Sequence, residues 1–485
     1  MLLKNLLEGL DYQLVSGDVN REIGKICYDN RKVSKDDLFV CVKGFSVDGH
    51  TFAEKATENG ATVVVCEDEV KVLEGVTVIK VDNTRRALAK IASNYYGNPS
   101  KKLKVIGITG TNGKTTSSYI IRDVLTKAGN KVGLIGTIAN YIGDKKFKTE
   151  RTTPESLELQ ELFKQMVDEG ANYCVMEVSS HALALDRVYD VEFDYAIFTN
   201  LTRDHLDMHK TFEEYYKAKF KLFKMANNCI INIDDDYGKR IIEDLEEDKK
   251  SKNIVTISLK QDADYTAENI LLGAMKSEFD TKGKKYEMEI PGLYNVYNSL
   301  GCIAVCDLLK LSYEKINAAL KEATVPGRCQ RVGKSHNLDF TIIVDYAHTP
   351  DGLENILSTV KQVTKGRVIA VFGCGGNRDT VKRPQMGEIA TRIADIAIVT
   401  SDNPRKEEPA LIIEDILKGI KDKDNCITIE NRYDAIKKAI ELAKSEDSVV
   451  IAGKGHEDYQ ILKDETIHFD DREVVEEILQ NRNEV

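Results

Sequence analysis

Short apolar runs alternate with longer stretches of helical spacing along this chain. Apolar runs of four to six residues, bounded by glycine or polar residues, are typical of buried strands in a parallel sheet. Their alternation with helices predicts an α/β protein. We expect strands at residues 37–42, 61–66, 103–108, 173–178, 195–199, 229–232, 341–344, 368–372, 396–400 and 449–452, and helices at 117–127, 212–223 and 295–309.

Turn-rich positions divide this pattern into three segments. Residues 95–100 read Tyr-Tyr-Gly-Asn-Pro-Ser and predict a linker, and Pro326-Gly327-Arg328 marks a second boundary. We therefore expect domains at 1–98, 99–330 and 331–485. The charged stretch 241–253 is interpreted as a solvated helix end and loop.

Composition restricts the classes of partner. The 485 residues suffice for about two to four domains, and the net charge of −11 argues against general nucleic-acid binding. No apolar run reaches 18 residues and the amphipathic N-terminus lacks a signal-peptide core. We expect a cytoplasmic monomer with no membrane or nucleic-acid partner. The 10 cysteines are scattered, as buried core thiols in a reducing compartment are.

The strongest local motif follows the strand at 103–108. Glycines there let backbone N–H groups converge on phosphate oxygens, and the next helix adds its positive end. Lys114 would neutralise phosphate charge and Thr115 would bind magnesium. A strict phosphate-loop pattern needs glycine where Ile108 stands, so the motif is a variant. The predicted nucleotide-binding residues are Gly110, Thr111, Asn112, Gly113, Lys114, Thr115 and Thr116.

Seven further motifs, in this order, resemble the Mur ligase family of peptidoglycan synthesis over essentially the whole chain. They are Met-Glu-Val-Ser-Ser-His at 176–181, Thr-Asn-Leu-Thr-Arg-Asp-His-Leu-Asp at 199–207, Tyr-Lys-Ala-Lys at 216–219, Asp-Tyr-Ala-His-Thr-Pro at 345–350, Gly-Gly-Asn-Arg at 375–378, Asp-Asn-Pro-Arg at 402–405 and Gly-Lys-Gly-His-Glu at 453–457.

This resemblance implies an ATP-dependent ligase with three domains. A central parallel-sheet ATPase-like domain would be flanked by an N-terminal UDP-binding α/β domain and a C-terminal Rossmann-like domain. ATP would phosphorylate the free D-glutamate carboxylate of UDP-N-acetylmuramoyl-L-alanyl-D-glutamate. An amino acid would then attack the acyl phosphate, releasing phosphate with a new amide bond.

The resemblance also implies roles for the central motifs. Glu177 and His205 would be Mg²⁺-side residues, consistent with the hard oxygen ligands that magnesium prefers. Lys219 would react with carbon dioxide to form a carbamate, N6-carboxylysine, that holds a second magnesium ion. By the residues alone, Glu177 and Lys219 could equally be surface side chains. The expected catalytic residues are therefore Lys114, Glu177, His205 and Lys219.

The resemblance also implies which residues contact the nucleotide and the UDP substrate, because they occupy matching positions in the family's motifs. Asn295, Asn298, Arg328 and Asp345 would contact the nucleotide, although N-capping of a helix is an alternative role for Asn295. Two positions depart from the common pattern, because relatives often have Ser at position 30 and some have Gln at position 185. The residues expected to bind the UDP substrate are Asn30, Thr152, Thr153, Ser179, Leu185 and Arg187.

The amino acid that attacks the acyl phosphate, the third of the peptide, would be meso-diaminopimelate. It differs from lysine by one carboxylate at the far stereocentre, which a guanidinium binds with two parallel bonds. Arg405 supplies that group, Arg378 is a second candidate, and Glu457 with Asp402 or Asn403 would hold the far ammonium. The expected site is Arg378, Asp402, Asn403, Pro404, Arg405, Gly453 and Glu457.

Three alternative hypotheses about the function remain open. A lysine-adding member of the family is disfavoured by Arg405. Folylpolyglutamate synthetases share the phosphate loop, but the N-terminal UDP-binding segment and residues 402–405 argue against them. A nucleotide-dependent switch without turnover would need no acceptor-activating set such as Glu177, His205 and Lys219.

Overall fold

The computed structural model describes residues 1–44, 47–204, 206–246, 252–273, 276–421 and 423–483. These form two compact units, residues 1–264 with 301–311 and residues 265–300 with 312–485. The strands are β1 Gln13–Ser16, β2 Ile26–Cys27, β3 Leu38–Val40, β4 Val63–Cys66, β5 Thr77–Lys80, β6 Lys104–Thr109, β7 Val132–Ile135, β8 Asn140–Ile142, β9 Lys145–Phe147, β10 Tyr173–Glu177, β11 Phe193–Phe198, β12 Ala226–Asn232, β13 Asn253–Ser258, β14 Tyr265–Thr266, β15 Glu268–Leu272, β16 Ser277–Thr281, β17 Lys284–Met288, β18 Gln330–Val332, β19 Thr341–Asp345, β20 Val368–Phe372, β21 Ile396–Val399, β22 Cys426–Thr428, β23 Ser448–Ala452, β24 Tyr459–Ile461 and β25 Thr466–His468.

Helices lie between most of these strands. They are α1 Leu3–Leu6, α2 Ala53–Glu58, α3 Thr84–Tyr95, α4 Lys114–Lys127, α5 Ser156–Asp168, α6 Ser180–Ala184, α7 Leu206–His209, α8 Phe212–Met225, α9 Asp236–Asp244, α10 Leu293–Leu308, α11 Tyr313–Glu322, α12 Pro350–Val363, α13 Lys382–Ile393, α14 Pro409–Leu417, α15 Arg432–Leu442 and α16 Asp471–Asn483. The predicted α/β alternation and each predicted strand and helix are confirmed, with bounds that differ by a few residues.

The first unit contains two sheets. The N-terminal sheet has the order β1-β5-β4-β3-β2, in which only β1 is antiparallel to its neighbour. In the larger sheet, strands run parallel in the order β13-β12-β11-β6-β10-β7, and β8 and β9 extend it antiparallel. Strand β6 is therefore central. The loop that follows it opens at the carboxyl edge, where such sheets bind ligands.

The apolar runs fill the interior of this sheet, as its parallel topology requires. Residues Val105, Ile106 and Ile108 of β6 are fully buried. Nine of the ten cysteines are buried and all ten are free thiols, as expected for core cysteines. Among the described residues, no helix combines the length and apolar character needed to cross a membrane.

The second unit is built on a sheet of order β18-β19-β23-β20-β21-β22. Its strands are parallel except β18, which pairs antiparallel with β19. This unit also contains an antiparallel sheet of β15, β16 and β17 and a hairpin of β24 and β25. Strands β19 and β23 are neighbours, so the loops that follow them meet at one edge.

Candidate active site

The phosphate loop joins β6 to α4 and depends on two glycines. Gly110 has φ +150° and a Cβ there would lie 1.9 Å from the Thr199 hydroxyl, so a side chain cannot fit. Gly113, with φ +89°, precedes the first residue of α4. The helix begins at Lys114, three residues earlier than predicted, because these glycines allow the chain to turn directly into it.

Residues that follow β11 hold the loop in place. The backbone N–H of Thr111 donates to the Asn200 carbonyl at 2.9 Å, and that of Asn112 donates to Asn200 Oδ1 at 3.0 Å. The Thr199 hydroxyl donates to the Asn112 carbonyl at 2.6 Å. The loop is therefore anchored to the strand beside β6, which fixes its shape.

Two lysines converge on one carbonyl of this loop. Lys114 Nζ donates to the carbonyls of Gly110 at 2.8 Å and Thr111 at 2.7 Å. Lys219, from α8, donates to the same Gly110 oxygen at 2.8 Å and its Nζ lies 4.7 Å from the Tyr215 ring centroid. Burial and then the charge of Lys114 hold the pKa of the Lys219 amine well below its usual value. Such burial favours the neutral, nucleophilic amine.

Glu177 ends β10 beside the loop and is only 1% exposed. Its carboxylate accepts hydrogen bonds from the Thr115 hydroxyl at 3.0 Å, and from the Thr137 backbone at 2.9 Å and hydroxyl at 3.1 Å. A Cβ at Gly136 would lie 2.5 Å from this carboxylate. The predicted pair of Thr115 and Glu177 is thus brought together, and Thr137 is a partner that the sequence analysis missed.

Most residues expected to bind the UDP substrate gather next to Glu177. The Thr153 hydroxyl donates to the Glu177 carbonyl at 2.9 Å, and the backbone of Ser179 donates to Thr153 Oγ1 at 3.1 Å. Thr152 Oγ1 lies 3.0 Å from Thr137 Oγ1. Leu185 terminates α6. His205 lies outside the described residues, and Asn30 opens a 3-10 turn that follows β2.

A cluster of three arginines surrounds Glu155 beside these residues. Its carboxylate pairs with Arg187 at 2.9 Å, Arg85 at 3.4 Å and Arg151 at 3.6 Å. Arg187 also donates to the Thr153 carbonyl at 3.3 Å. Three guanidinium groups on one carboxylate leave an excess of positive charge, which suits an anionic ligand. Only Arg187 was predicted.

In the second unit, the residues expected to contact the nucleotide form two groups. Asn295 Nδ2 donates to the Pro291 carbonyl at 2.7 Å and Asn298 Nδ2 donates to Asn295 Oδ1 at 3.1 Å. Asn295 lies inside the first turn of α10, which begins at Leu293, so Asn295 is not the N-cap residue and the N-capping alternative is wrong.

Asp345 ends β19 and organises the second group. Its buried carboxylate accepts from the backbone N–H groups of Cys329 at 2.6 Å and Ala347 at 2.8 Å. Burial raises the pKa of this carboxyl, while the charge of Arg328 opposes that rise. The Arg328 guanidinium lies 4.4 Å from the Tyr346 ring centroid.

Most of the residues expected to bind the amino acid follow β21 and β23, and Arg378 follows β20. Asn403 Nδ2 donates to Glu457 Oε2 at 2.9 Å. Gly453, with φ +119°, leaves room for Asp402, because a Cβ there would lie 2.6 Å from Asp402 Oδ2. Its N–H donates to the Asp345 carbonyl at 3.0 Å, which links this group to the preceding one.

Arg405 takes a left-handed backbone conformation, φ +54°, that is uncommon outside glycine. Its N–H donates to the Ile461 carbonyl at 3.0 Å, and its Nη1 donates to the Gly376 carbonyl at 3.0 Å. The guanidinium is thereby held half-buried beside Asn403. Pro404 is buried in the same turn, whereas Arg378 is exposed. The sequence analysis missed Lys454, whose side chain is fully buried against Asn403 and Glu457.

Three consecutive regions of the chain match models of Mur ligase domains. Residues 22–96 match the model of the Mur ligase family catalytic domain, residues 108–306 that of the Mur ligase middle domain, and residues 327–455 that of the Mur ligase glutamate ligase domain.

Individual relatives are similar over their full lengths. The chain is 57% identical to the UDP-N-acetylmuramoyl-L-alanyl-D-glutamate–2,6-diaminopimelate ligase of Clostridium perfringens, over 99% of this chain and 100% of that protein. It is 47% identical to the protein of that name from Clostridioides difficile, over 99% of both. A solved structure with the same name is 30% identical, with a TM-score of 0.73 over 100% of this chain and 99% of that one.

Proposed function

We propose that this chain, which belongs to the Mur ligase family, is the ligase that adds meso-2,6-diaminopimelate to UDP-N-acetylmuramoyl-L-alanyl-D-glutamate. The reaction consumes ATP and proceeds through an acyl phosphate. The observation that carries the proposal is the 57% identity to a ligase of that name, over 99% of this chain and 100% of that protein. The three matched family domains agree with the predicted three-domain α/β organisation.

ATP binding is assigned to the loop after β6. The backbone N–H groups of this loop and the start of α4 would bind phosphate oxygens. Lys114, whose amine lies on the loop carbonyls, would move onto the phosphates and neutralise the charge that develops there. Asn295, Asn298, Arg328 and Asp345 are also proposed to contact the nucleotide.

The residues around Glu177 fit a magnesium ion. Thr115 Oγ1 and Glu177 Oε2 are hard oxygen donors 3.0 Å apart, and the carboxylate lies in a cradle that a side chain at Gly136 would fill. Bound there, magnesium would supply Lewis-acid polarisation of the transferred phosphoryl group. Thr137 orients the carboxylate through two hydrogen bonds, which fixes where the ion would lie. His205 is proposed as a further metal-side residue.

The phosphoryl acceptor is proposed to be the D-glutamate side-chain carboxylate. The substrate's diphosphate and sugar-peptide would lie along Thr152, Thr153, Ser179 and Arg187, beside Glu177. Asn30 would contact the uridine end, and Leu185 would contribute no side-chain hydrogen bond. The arginines around Glu155 provide the positive charge that this anionic substrate requires.

Lys219 is proposed to carry a carbamate in the working enzyme. Only an uncharged amine attacks carbon dioxide, and the buried amine beside the charge of Lys114 favours that form. The attack forms a C–N bond while one C=O π pair of carbon dioxide moves onto oxygen, a proton leaves the nitrogen for solvent, and the neutral amine becomes an anionic carbamate. That anion would lie next to the phosphate loop, where it would hold a second magnesium ion.

The attacking amine is proposed to come from diaminopimelate. Its far carboxylate would bind Arg405, and its far ammonium would bind Glu457 with Asp402 or Asn403. Lysine lacks that carboxylate and would leave a half-buried guanidinium without its partner, which costs affinity.

The decisive assay gives the purified protein ATP, magnesium and the UDP-linked dipeptide with either meso-diaminopimelate or L-lysine. We expect phosphate release and a UDP-linked tripeptide with diaminopimelate only, detected by mass spectrometry. Equal turnover of both amino acids contradicts the role of Arg405. ATP hydrolysis without any amide product supports the nucleotide-dependent switch instead.

A further inference from the structure

Lys454 is a fully buried lysine whose amine has three polar neighbours in the amino-acid site. It follows β23, and its side chain is 0% exposed. The amine donates to the Tyr459 carbonyl, to Asn403 Oδ1 at 3.4 Å and to Glu457 Oε2 at 3.4 Å. A buried ammonium is costly unless such partners offset its desolvation. A buried ammonium at this position therefore lowers the free energy of unfolding, which indicates that Lys454 has a functional role.

The first effect of Lys454 is on the Asn403 amide. Asn403 Oδ1 accepts from the Ile461 backbone N–H at 2.9 Å as well as from Lys454. A flip of the amide would turn its NH₂ group toward these two donors, which is unfavourable. The NH₂ group is thereby directed to Glu457, where Nδ2 donates at 2.9 Å.

The second effect is on charge. Burial and the neighbouring Asp402 raise the pKa of the Glu457 carboxyl, whereas Lys454 and the Asn403 hydrogen bond lower it. Tyr346, Tyr459 and Arg432 also interact electrostatically with Glu457. Lys454 is the cation that directly contacts the carboxylate, at 3.4 Å.

Four side chains of the expected amino-acid site carry formal charges of both signs in equal number. Lys454 and Arg405 are cations, Asp402 and Glu457 are anions, and these charges sum to zero. Among them, Lys454 and Glu457 form a direct ion pair at 3.4 Å. A stereocentre that carries both a carboxylate and an ammonium group adds no net charge to such a site. A lone ammonium, as on a lysine side chain, adds one uncompensated positive charge next to Lys454.

We propose that Lys454 is a positioning and specificity-determining residue, which keeps Glu457 ionised and aims the Asn403 amide so that the site selects an amino acid with a zwitterionic far end. This inference rests on the proposed function. Lys454 acts through Asn403 and Glu457 and does not itself react.

The test compares Lys454→Met with the unaltered enzyme. Loss of a residue that orients ligand-binding groups typically costs about 10–100-fold, so we expect the KM for diaminopimelate to rise by that factor. The KM values for ATP and the UDP-dipeptide should stay unchanged. The acidic limb of kcat/KM for diaminopimelate should move to higher pH, because Glu457 loses its neutralising neighbour. Lys463→Met, at an exposed lysine paired with Glu408, is the matched control.

A double-mutant cycle separates this role from simple packing. In a Glu457→Gln background there is no carboxylate to ionise, so Lys454→Met should no longer move the acidic limb. A shift of equal size in that background overturns the inference. If Lys454→Met does not fold, Lys454→Arg carries the test. Its retained charge should keep the acidic limb in place while its different shape raises the KM for diaminopimelate, and an unchanged KM overturns the inference.

The two levels of proposal fail differently. If the unaltered enzyme makes no amide with diaminopimelate, the proposed function fails and this inference fails with it. If the unaltered enzyme does so, but Lys454→Met has the same KM and the same pH limb, only the inference about Lys454 fails.

Discussion

Lys114 and Lys219 donate to the same oxygen, the carbonyl of Gly110, each at 2.8 Å. Two amines this close repel each other when both are charged, and Lys219 is the more deeply buried of the two. The uncharged state therefore falls on Lys219. Because Lys219 lies beside the phosphate loop, its protonation state affects both the activity and the stability of the protein.

Lys219→Ala should abolish most ligase activity. If the carbamate holds a metal ion in the transition state, its loss costs on the order of 10²–10³-fold in kcat, as removal of other preorganised stabilising groups does. Added acetate or bicarbonate should restore part of it. Lys217→Ala, at an exposed position of the same helix, is the matched control. Full activity of Lys219→Ala without additive contradicts the carbamate.

Lys219→Met should raise thermal stability at neutral pH in carbon dioxide-free buffer. The pKa of Lys219 is lowered in the folded state, so the unfolded chain binds one more proton between that lowered value and about 10.4. Stability of the unaltered protein therefore rises with pH through this window. The advantage of the variant should shrink as pH approaches the upper limit. A difference in Tm that is independent of pH refutes the explanation.

Gly110→Ala should damage the nucleotide site more than Gly129→Ala. Both glycines have positive φ, so both substitutions carry a backbone cost of about 1–2 kcal/mol. Only Gly110 also meets a neighbour, Thr199 Oγ1 at 1.9 Å, whereas nothing lies within 4 Å of a Cβ at Gly129. We expect ATP binding, measured by calorimetry, to be lost in Gly110→Ala and retained in Gly129→Ala. Equal affinities would mean that the loop adapts.

Arg405→Lys should raise the KM for diaminopimelate by about 10–100-fold, since one hydrogen bond to a charged group contributes ~1.5–3 kcal/mol. Lysine has one ammonium and cannot make two parallel bonds to a carboxylate. The KM for ATP should be unaffected. Arg392→Lys, in an exposed ion-pair network with Glu354 and Glu388, serves as the control. An unchanged KM for diaminopimelate places its far carboxylate elsewhere.

The sequence predicted most of the parallel strands because they are buried on both faces, but it missed β2, β5, β7, β13 and β22. Strands β20 and β23 are apolar runs that periodicity detects directly. Strands β15, β16 and β17 were missed, because they lack continuous apolar runs. No residue of β15 is buried, and β16 alternates buried residues with partly buried acidic ones and contains one large apolar residue, Phe279. The domain boundaries at 98 and 330 stay predictions.

The site was predicted where its chemistry lies in consecutive residues. The phosphate loop and Glu177 belong to local motifs that carry their own physical meaning. Thr137, Glu155 and Lys454 were missed because their roles depend on partners distant in sequence. Lys454 pairs with Asn403 at a separation of 51 residues, and its type alone suggests a solvated side chain.

The anchoring of the phosphate loop by Asn200 has a consequence for synthesis of the chain. The two residues that form the bond, Asn112 and Asn200, are 88 positions apart, since β6 is flanked in the sheet by strands made later. At ribosomal rates of about 5–20 residues per second, the loop emerges roughly 5–20 s before its anchor exists. During that interval a nascent chain has the nucleotide motif without its geometry, so ATP cannot assist folding until the ribosome has passed β11.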